Sequence, residues 1–185
     1  QPAPYFVDEL AIRTGFGKRF AAALIDLLIV IIIILLVYNA TGFFESATIL
    51  GEQIQANPTD VAAIEELTNS FMADNMSNFY FSCILWLVFF SLEILIGASV
   101  GKLILGIQIA DSNRTKANTG KLITRYLIKH SFTFISILWL ITGISIINTL
   151  STIVFFVLVI GFFFVFSQKR QAFHDMLADT AVFNR

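Results

Sequence analysis

The sequence predicts an all-α membrane protein: four transmembrane helices, an amphipathic helix in an outer loop, and a small cytoplasmic two-stranded β element. Three observations lead there. Of the 185 residues 57% are hydrophobic and only 14% charged, with 20 phenylalanines, a composition too apolar for an ordinary soluble domain. Four apolar runs, near residues 20–38, 79–98, 126–146 and 150–167, each approach the roughly 20 residues that cross hydrocarbon. The basic residues flank those runs on one side only. Residues 1–185 therefore read as a single transmembrane domain.

The first run ends in "VYNATGFF" with no small-residue cleavage pattern, and it is longer than a signal-peptide core, so it reads as a retained anchor. The segment 39–78 follows as an extracytoplasmic acidic loop. Within it Val61, Ile64, Leu67, Phe71 and Met72 recur at helical spacing, and Pro58 to Asp60 supply a start signal. This is an amphipathic helix rich in acids rather than in Lys and Arg, which suits capping the helices or meeting a partner better than lying on lipid. Its negative field also allows a cation-attracting vestibule. Between the third and fourth runs, "GISIINTLST" places a tight turn at Gly143, Asn148 and Thr149. "LILGIQIAD" and "DTAVFNR" hold β-branched and aromatic residues beside turn formers, which predicts that Ile107 to Ile109 pairs with Ala181 to Phe183.

Charge sets the orientation. All twelve Lys and Arg lie before the first run, from the end of the second run into the first turn of the third, or after the fourth. The loop 39–78 has none and carries Glu45, Glu52, Asp60, Glu65, Glu66 and Asp74. The positive-inside bias puts both termini in the cytoplasm of a prokaryotic inner or plasma membrane. Basic residues spread along membrane boundaries, without stacking aromatics on a soluble face, exclude nucleic acid as a partner.

Several chemical motifs fail. "GASVGK", from Gly97 to Lys102, has three residues between its glycines where a phosphate loop needs four, and Leu103 stands where Ser or Thr would hold magnesium. His130 and His174 are the only histidines and share no helix at ligand spacing, so no zinc site is expected. Cys83 is alone inside the second run and reads as a small apolar filler. No serine triad can be assembled. The protein is not expected to be an enzyme or to hold a cofactor or metal.

Two acids inside apolar runs ask for an explanation. Arg19 and Asp26 are seven residues apart on the first helix and so share a face. Glu93 precedes Lys102 by nine residues on a helix running back, at a depth like that of Asp26. Each charge costs about 2.5–3.5 kcal/mol at a helix centre, so both acids should face inward. Arg125 and Lys129, one turn apart, and Arg170 and Asp175 lie at the same end to receive them. Asp26 is expected to face Arg125 or Arg170 and to join Glu93 in one water-accessible cavity, with Arg19 at its rim and Asp175 reaching in from the tail.

At these residues the chain resembles the RDD family of bacterial and archaeal membrane proteins, named for an arginine at the start of the first span and two aspartates. "GFGKRFAAALIDLLI" is similar to the family's opening, with Arg19 and Asp26 as its first two letters. "RQAFHDMLADTAVFN" resembles its closing segment, with the second aspartate at Asp175, and His174 and Asp179 close to the same pattern. "GASVGKLILGIQIAD" and Arg125 extend the likeness over nearly the whole chain except the acidic loop. The resemblance implies a possible transporter of unknown ligand, with cation/proton antiport suggested for some members.

Two functions fit. One is exchange of a monovalent cation such as Na+ for protons through a cluster of Arg19, Asp26, Glu93, Arg125, Arg170, His174 and Asp175. Four helices make a narrow path, so this reading requires a homo-oligomer. The other is a non-transporting scaffold or regulatory subunit of a membrane complex, in which the same cluster is a polar lock between helices.

Overall fold

A computed structural model describes residues 13–56 and 58–185. Helix α1 (Phe16–Ala40) contains the first apolar run. Its 25 residues extend about 38 Å at 1.5 Å per residue, enough to cross hydrocarbon about 30 Å thick. Helices α2 (Phe43–Ala56) and α3 (Val61–Asp74) follow. Next come α4 (Met76–Phe90) and α5 (Leu92–Ile96), which together form a second apolar stretch of 21 residues. Gly97, at φ 70°, ends it in the left-handed conformation that glycine adopts without strain. A short helix α6 (Val100–Ile104) leads into strand β1 (Ile107–Asp111). Helices α7 (Thr119–Lys129), α8 (Ser131–Thr142) and α9 (Ser145–Phe162) come next, and a 3-10 turn over Phe163–Phe166 extends α9. The chain closes with α10 (Phe173–Leu177) and strand β2 (Thr180–Asn184).

Three helices among the described residues are long and apolar enough to cross a membrane: Phe16–Ala40, Met76–Ile96 and Ser145–Phe166. Four spans were expected, and the third run is where the structure departs. It breaks at His130, and the apolar remainder, α8, has 12 residues, about 18 Å of helix. The cause is visible in α7. Leu122, Arg125 and Tyr126 form its buried face, so this helix packs against protein through an arginine instead of continuing an apolar rod. A hairpin does join α8 to α9, but its turn is at Gly143 (φ 67°) and Ile144. Asn148 and Thr149, expected in the turn, lie inside α9, where the Thr149 hydroxyl donates to the Ser145 carbonyl at 3.3 Å. Across the hairpin the Ser136 and Ser151 hydroxyls are 2.6 Å apart.

By its contacts the chain divides into Ile29–Trp86 and a second unit formed by the described residues up to Leu28 together with Leu87–Arg185. In the first unit the amphipathic helix predicted in the acidic loop is α3. Asp60 caps it, its carboxylate accepting from the Ala63 amide at 3.0 Å. Ile64, Leu67, Phe71 and Met72 are half-buried while all six acids are exposed. The partner helix α2 was not foreseen. Phe43 joins the two, its ring 5.4 Å from Phe71, 4.2 Å from Tyr38 and 6.0 Å from Phe79. Asn78 accepts from the Thr41 hydroxyl at 3.0 Å and donates to Asn75 at 3.2 Å.

The second unit is built on the predicted β ladder. β1 and β2 pair antiparallel with Ile109 opposite Val182, and Arg13 adds a bridge to Phe183. One face of this ribbon, Ile107, Ile109 and Val182, packs with Ala22 of α1, Ala117 and Leu122. An isolated two-stranded ribbon is marginal in water, and this packing supplies what it lacks. Gly101 fixes how closely α6 approaches α1, because a Cβ there would lie 2.1 Å from the Ala22 carbonyl oxygen. Gly101→Ala is expected to lower stability by about 1–3 kcal/mol through overpacking. Gly17→Ala, with nothing within 4 Å of its Cβ position, should be neutral or stabilising. Thermal unfolding in detergent measures both, and equal melting of the two variants would contradict this packing.

Candidate functional site

The site grows from one stripe of α1. Arg19, Ala22 and Asp26, at i, i+3 and i+7, are all buried, at 5%, 1% and 2% exposure. Leu24, Leu27 and Leu28 on the rest of that helix are exposed. The helical period thus turns the two charged side chains inward and the leucines outward.

Two buried carboxylates share one guanidinium. Asp175, on α10, accepts from Arg19 Nη1 at 2.6 Å and from Arg125 Nε at 2.7 Å, and its own helix contributes the Ala172 amide at 3.2 Å. Arg125 Nη1 donates to Glu93 Oε2. The other oxygen, Glu93 Oε1, pairs with Lys102 Nζ and with Lys129 Nζ, the latter at 2.8 Å. A continuous chain of ion pairs therefore runs from α1 through α10 and α7 to α5 and α6. Four cations, Arg19, Lys102, Arg125 and Lys129, surround two carboxylates. Arg19 also donates to the Thr14 carbonyl at 3.0 Å and the Arg170 carbonyl at 2.7 Å, so its fork is fully engaged.

Asp26 stands apart from this chain. It was expected to face Arg125 or Arg170. Instead Oδ2 accepts from the Ser99 hydroxyl at 2.5 Å and Oδ1 from the Gly101 amide at 2.7 Å. The start of α6 offers backbone donors with no partner inside the helix, and a carboxylate satisfies them. The missing Cβ of Gly101 lets the two backbones come close enough for that bond. Asp26 and Glu93 are accordingly held by different partners and do not share one site, and Arg19 anchors Asp175 rather than closing a rim over Asp26.

Arg170 and His174 are the remaining predicted residues. Arg170, at φ 46°, donates to the Arg13 carbonyl at 3.0 Å. His174 Nε2 is 3.1 Å from Arg125 Nη2. Burial pushes the His174 imidazole down to about 3, with Arg125 and Lys129 adding to the effect against the opposing pull of Asp175. The ring is neutral and accepts from Arg125, so its 3.5 Å approach to Asp175 is no ion pair. Burial raises the Asp175 carboxyl, but Arg125 and Arg19 outweigh it and hold it well below the usual carboxylate range. Burial likewise pushes Lys102 down to about 8, against the attraction of Glu93. Of the two tail aspartates, Asp175 is the buried one. Asp179 is at the surface, bonded to Lys121 at 2.7 Å and to Ser112 at 2.8 Å.

Sequence reasoning omitted Ser99, Gly101 and Lys102 from the site, while Lys129, placed where it could receive the buried acids, does pair with Glu93. Lys102 served there only to set the depth of Glu93, although a lysine nine residues away was a legible partner. Ser99 and Gly101 lie in "GASVGK", set aside as a failed phosphate loop. Its anion is the chain's own Asp26. Among the described residues no group of His, Cys, Asp and Glu could hold a metal ion.

Apolar helices of spanning length, ending in a buried lattice of ion pairs, define a helical membrane protein. The RDD family model matches residues 13–179, and the chain belongs to the RDD family. The matched segment begins at Arg13 and takes in every residue of the cluster. No curated protein and no solved structure matches the chain.

Removing Arg125 leaves Glu93 and Asp175 short of their common partner. Arg125→Leu is expected to cost about 3–5 kcal/mol, and Arg125→Lys should recover less than half of that because one ammonium replaces three separate guanidinium nitrogens that reach Asp175, Glu93 and His174. Denaturant titration in detergent measures the series, and full rescue by lysine would refute the shared-fork geometry. A second expectation concerns pH. His174 binds its proton near pH 6.5 in the unfolded chain and near 3 when folded. Across that window the unfolded state carries more protons, so stability rises with pH. The contribution is present above about 6.5 and lost as pH falls toward 3. His174→Gln should flatten the slope of stability between pH 4 and about 6.5, which melting curves taken across that range would register.

Proposed function

We propose that this RDD-family protein is a non-enzymatic, multi-pass subunit of a prokaryotic cell membrane, holding a fixed helical platform for a second copy or for another membrane protein. One observation carries the reading. Every carboxylate oxygen of Asp26, Glu93 and Asp175 already accepts from a donor of the chain itself. A cation entering the cluster would have to displace an arginine or lysine, and would enter a region where cations already outnumber acids. Such an arrangement suits a lock better than an ion path. The lock's worth lies in specifying one arrangement of α1, α5, α6, α7 and α10, since buried ion pairs add little net stability.

Exchange of Na+ for protons keeps one supporting observation, the buried Lys102 ammonium held down to about 8, within reach of physiological proton transfer. Reconstituted vesicles with an internal pH dye separate the readings. The lock predicts no proton movement when Na+ is added outside, in the wild type or in Asp26→Asn. Na+-dependent proton movement that disappears in Asp26→Asn at unchanged melting temperature would replace the lock by the exchanger.

Orientation is part of the same reading, with both termini and the ion-pair cluster on the cytoplasmic side. In a Cys83→Ala background, Glu65→Cys is expected to react with an impermeant thiol reagent added from outside, and Asn113→Cys to be protected until the membrane is opened. The reverse labelling would invert the topology.

A further inference from the structure

A cavity of about 590 Å³ lies apart from the ion-pair cluster, between the end of α5, strand β1 and the loop leading into α7. Its size falls within the roughly 300–1,000 Å³ of ordinary ligand sites. Its lining combines two chemistries. Leu95 and Ile96, 75% and 48% exposed at the end of the second apolar stretch, supply apolar surface. Arg114 and Lys116 supply positive charge, and no carboxylate lines the space. Neither cation has an ion-pair partner among the described residues, while the nearest acid on β1, Asp111, is taken by Lys121 at 3.1 Å. Arg114 is held at φ 68° by a tight turn in which its amide donates to the Asp111 carbonyl at 2.8 Å and Asp111 donates to Thr115 at 2.9 Å. A non-glycine residue in the left-handed region costs free energy, and here that conformation fixes the direction of the arginine's backbone beside the cavity.

We infer that this cavity binds one acidic phospholipid, its phosphate between Arg114 and Lys116 and its acyl chains along Leu95 and Ile96. Exposed apolar lining together with unpaired cations matches a ligand with hydrocarbon at one end and a phosphodiester at the other. A soluble phosphate would use only the cations and leave Leu95 and Ile96 unexplained. Basic pockets at the ends of membrane helices are recognised sites for anionic head groups. Arg114 supplies the fork that suits phosphate oxygens, and Lys116 a second point charge. The site is independent of whether the ion-pair cluster is a lock or a transport path.

The full-length protein, reconstituted in phosphatidylcholine vesicles with and without phosphatidylglycerol and then released into mild detergent, can be weighed intact by native mass spectrometry. The wild type is expected to retain one phosphatidylglycerol in preference to phosphatidylcholine. Arg114→Gln with Lys116→Gln should weaken that retention by roughly 30-fold at unchanged melting temperature, since both side chains are exposed and unpaired. Lys18→Gln, removing a cation elsewhere on the surface, should leave it intact. Leu95→Ser should weaken retention of the lipid, and glycerol 3-phosphate or inorganic phosphate in excess should not displace it. Equal retention by the wild type and the double variant would overturn the inference, as would equal loss in Lys18→Gln. Displacement by glycerol 3-phosphate would also overturn it, by making the ligand a soluble phosphate.

Discussion

Arg125 is the residue on which the rest of the second unit depends. Its guanidinium bridges the carboxylates of Glu93 and Asp175, and it does so through different nitrogens, Nε to Asp175 and Nη1 to Glu93, with Nη2 turned to His174. A lysine offers one nitrogen where this arrangement uses three. The geometry forces α7 to lie with Arg125 inward, which ends its apolar continuation at His130 and leaves α8 short. Each charge would cost about 2.5–3.5 kcal/mol if left to hydrocarbon. Mutual pairing removes most of that cost and adds direction, because planar forks accept few arrangements.

Asp26 answers to a different constraint. Its partners are a hydroxyl and a backbone amide, so its role is set by where α6 begins rather than by any countercharge. The glycine that permits the approach and the serine that completes it occupy the stretch whose spacing failed as a nucleotide loop. The physics is shared with such loops: a helix start offers amide hydrogens to an anion. Here the anion is covalently part of the protein, and the neighbourhood is closed to any other.

Much of this was readable from the residues. β-Branched and aromatic residues beside turn formers in "GIQIAD" and "TAVFN" carried the ladder, and helical spacing carried α3, whose Ile64, Leu67, Phe71 and Met72 are half-buried. The inward turn of Arg19 and Asp26 followed from the helical period alone. Partner choice did not follow. Whether Asp26 meets an arginine or an amide depends on a close approach of two backbones that only Gly101 allows, and sequence spacing does not show which helix arrives there. The third apolar run misled because a window of hydrophobic residues hides a break. Tyr126 to His130 is apolar enough to extend α8, yet Arg125 and Lys129 draw that turn into protein. Helix α2 was passed over within the acidic loop, although its apolar residues are as one-sided as those of α3.

The ion pair between Arg19 and Asp175 joins residues separated by 156 positions. During synthesis Arg19 therefore leaves the ribosome 156 residues before Asp175. Until Asp175 is made, the first helix must rest in or beside the lipid with its arginine lacking a carboxylate, and Arg125 has Glu93 alone. The short helix that carries Asp175 is thus the piece that closes the lattice, and a chain that loses it leaves one guanidinium without a countercharge and another with half of its own.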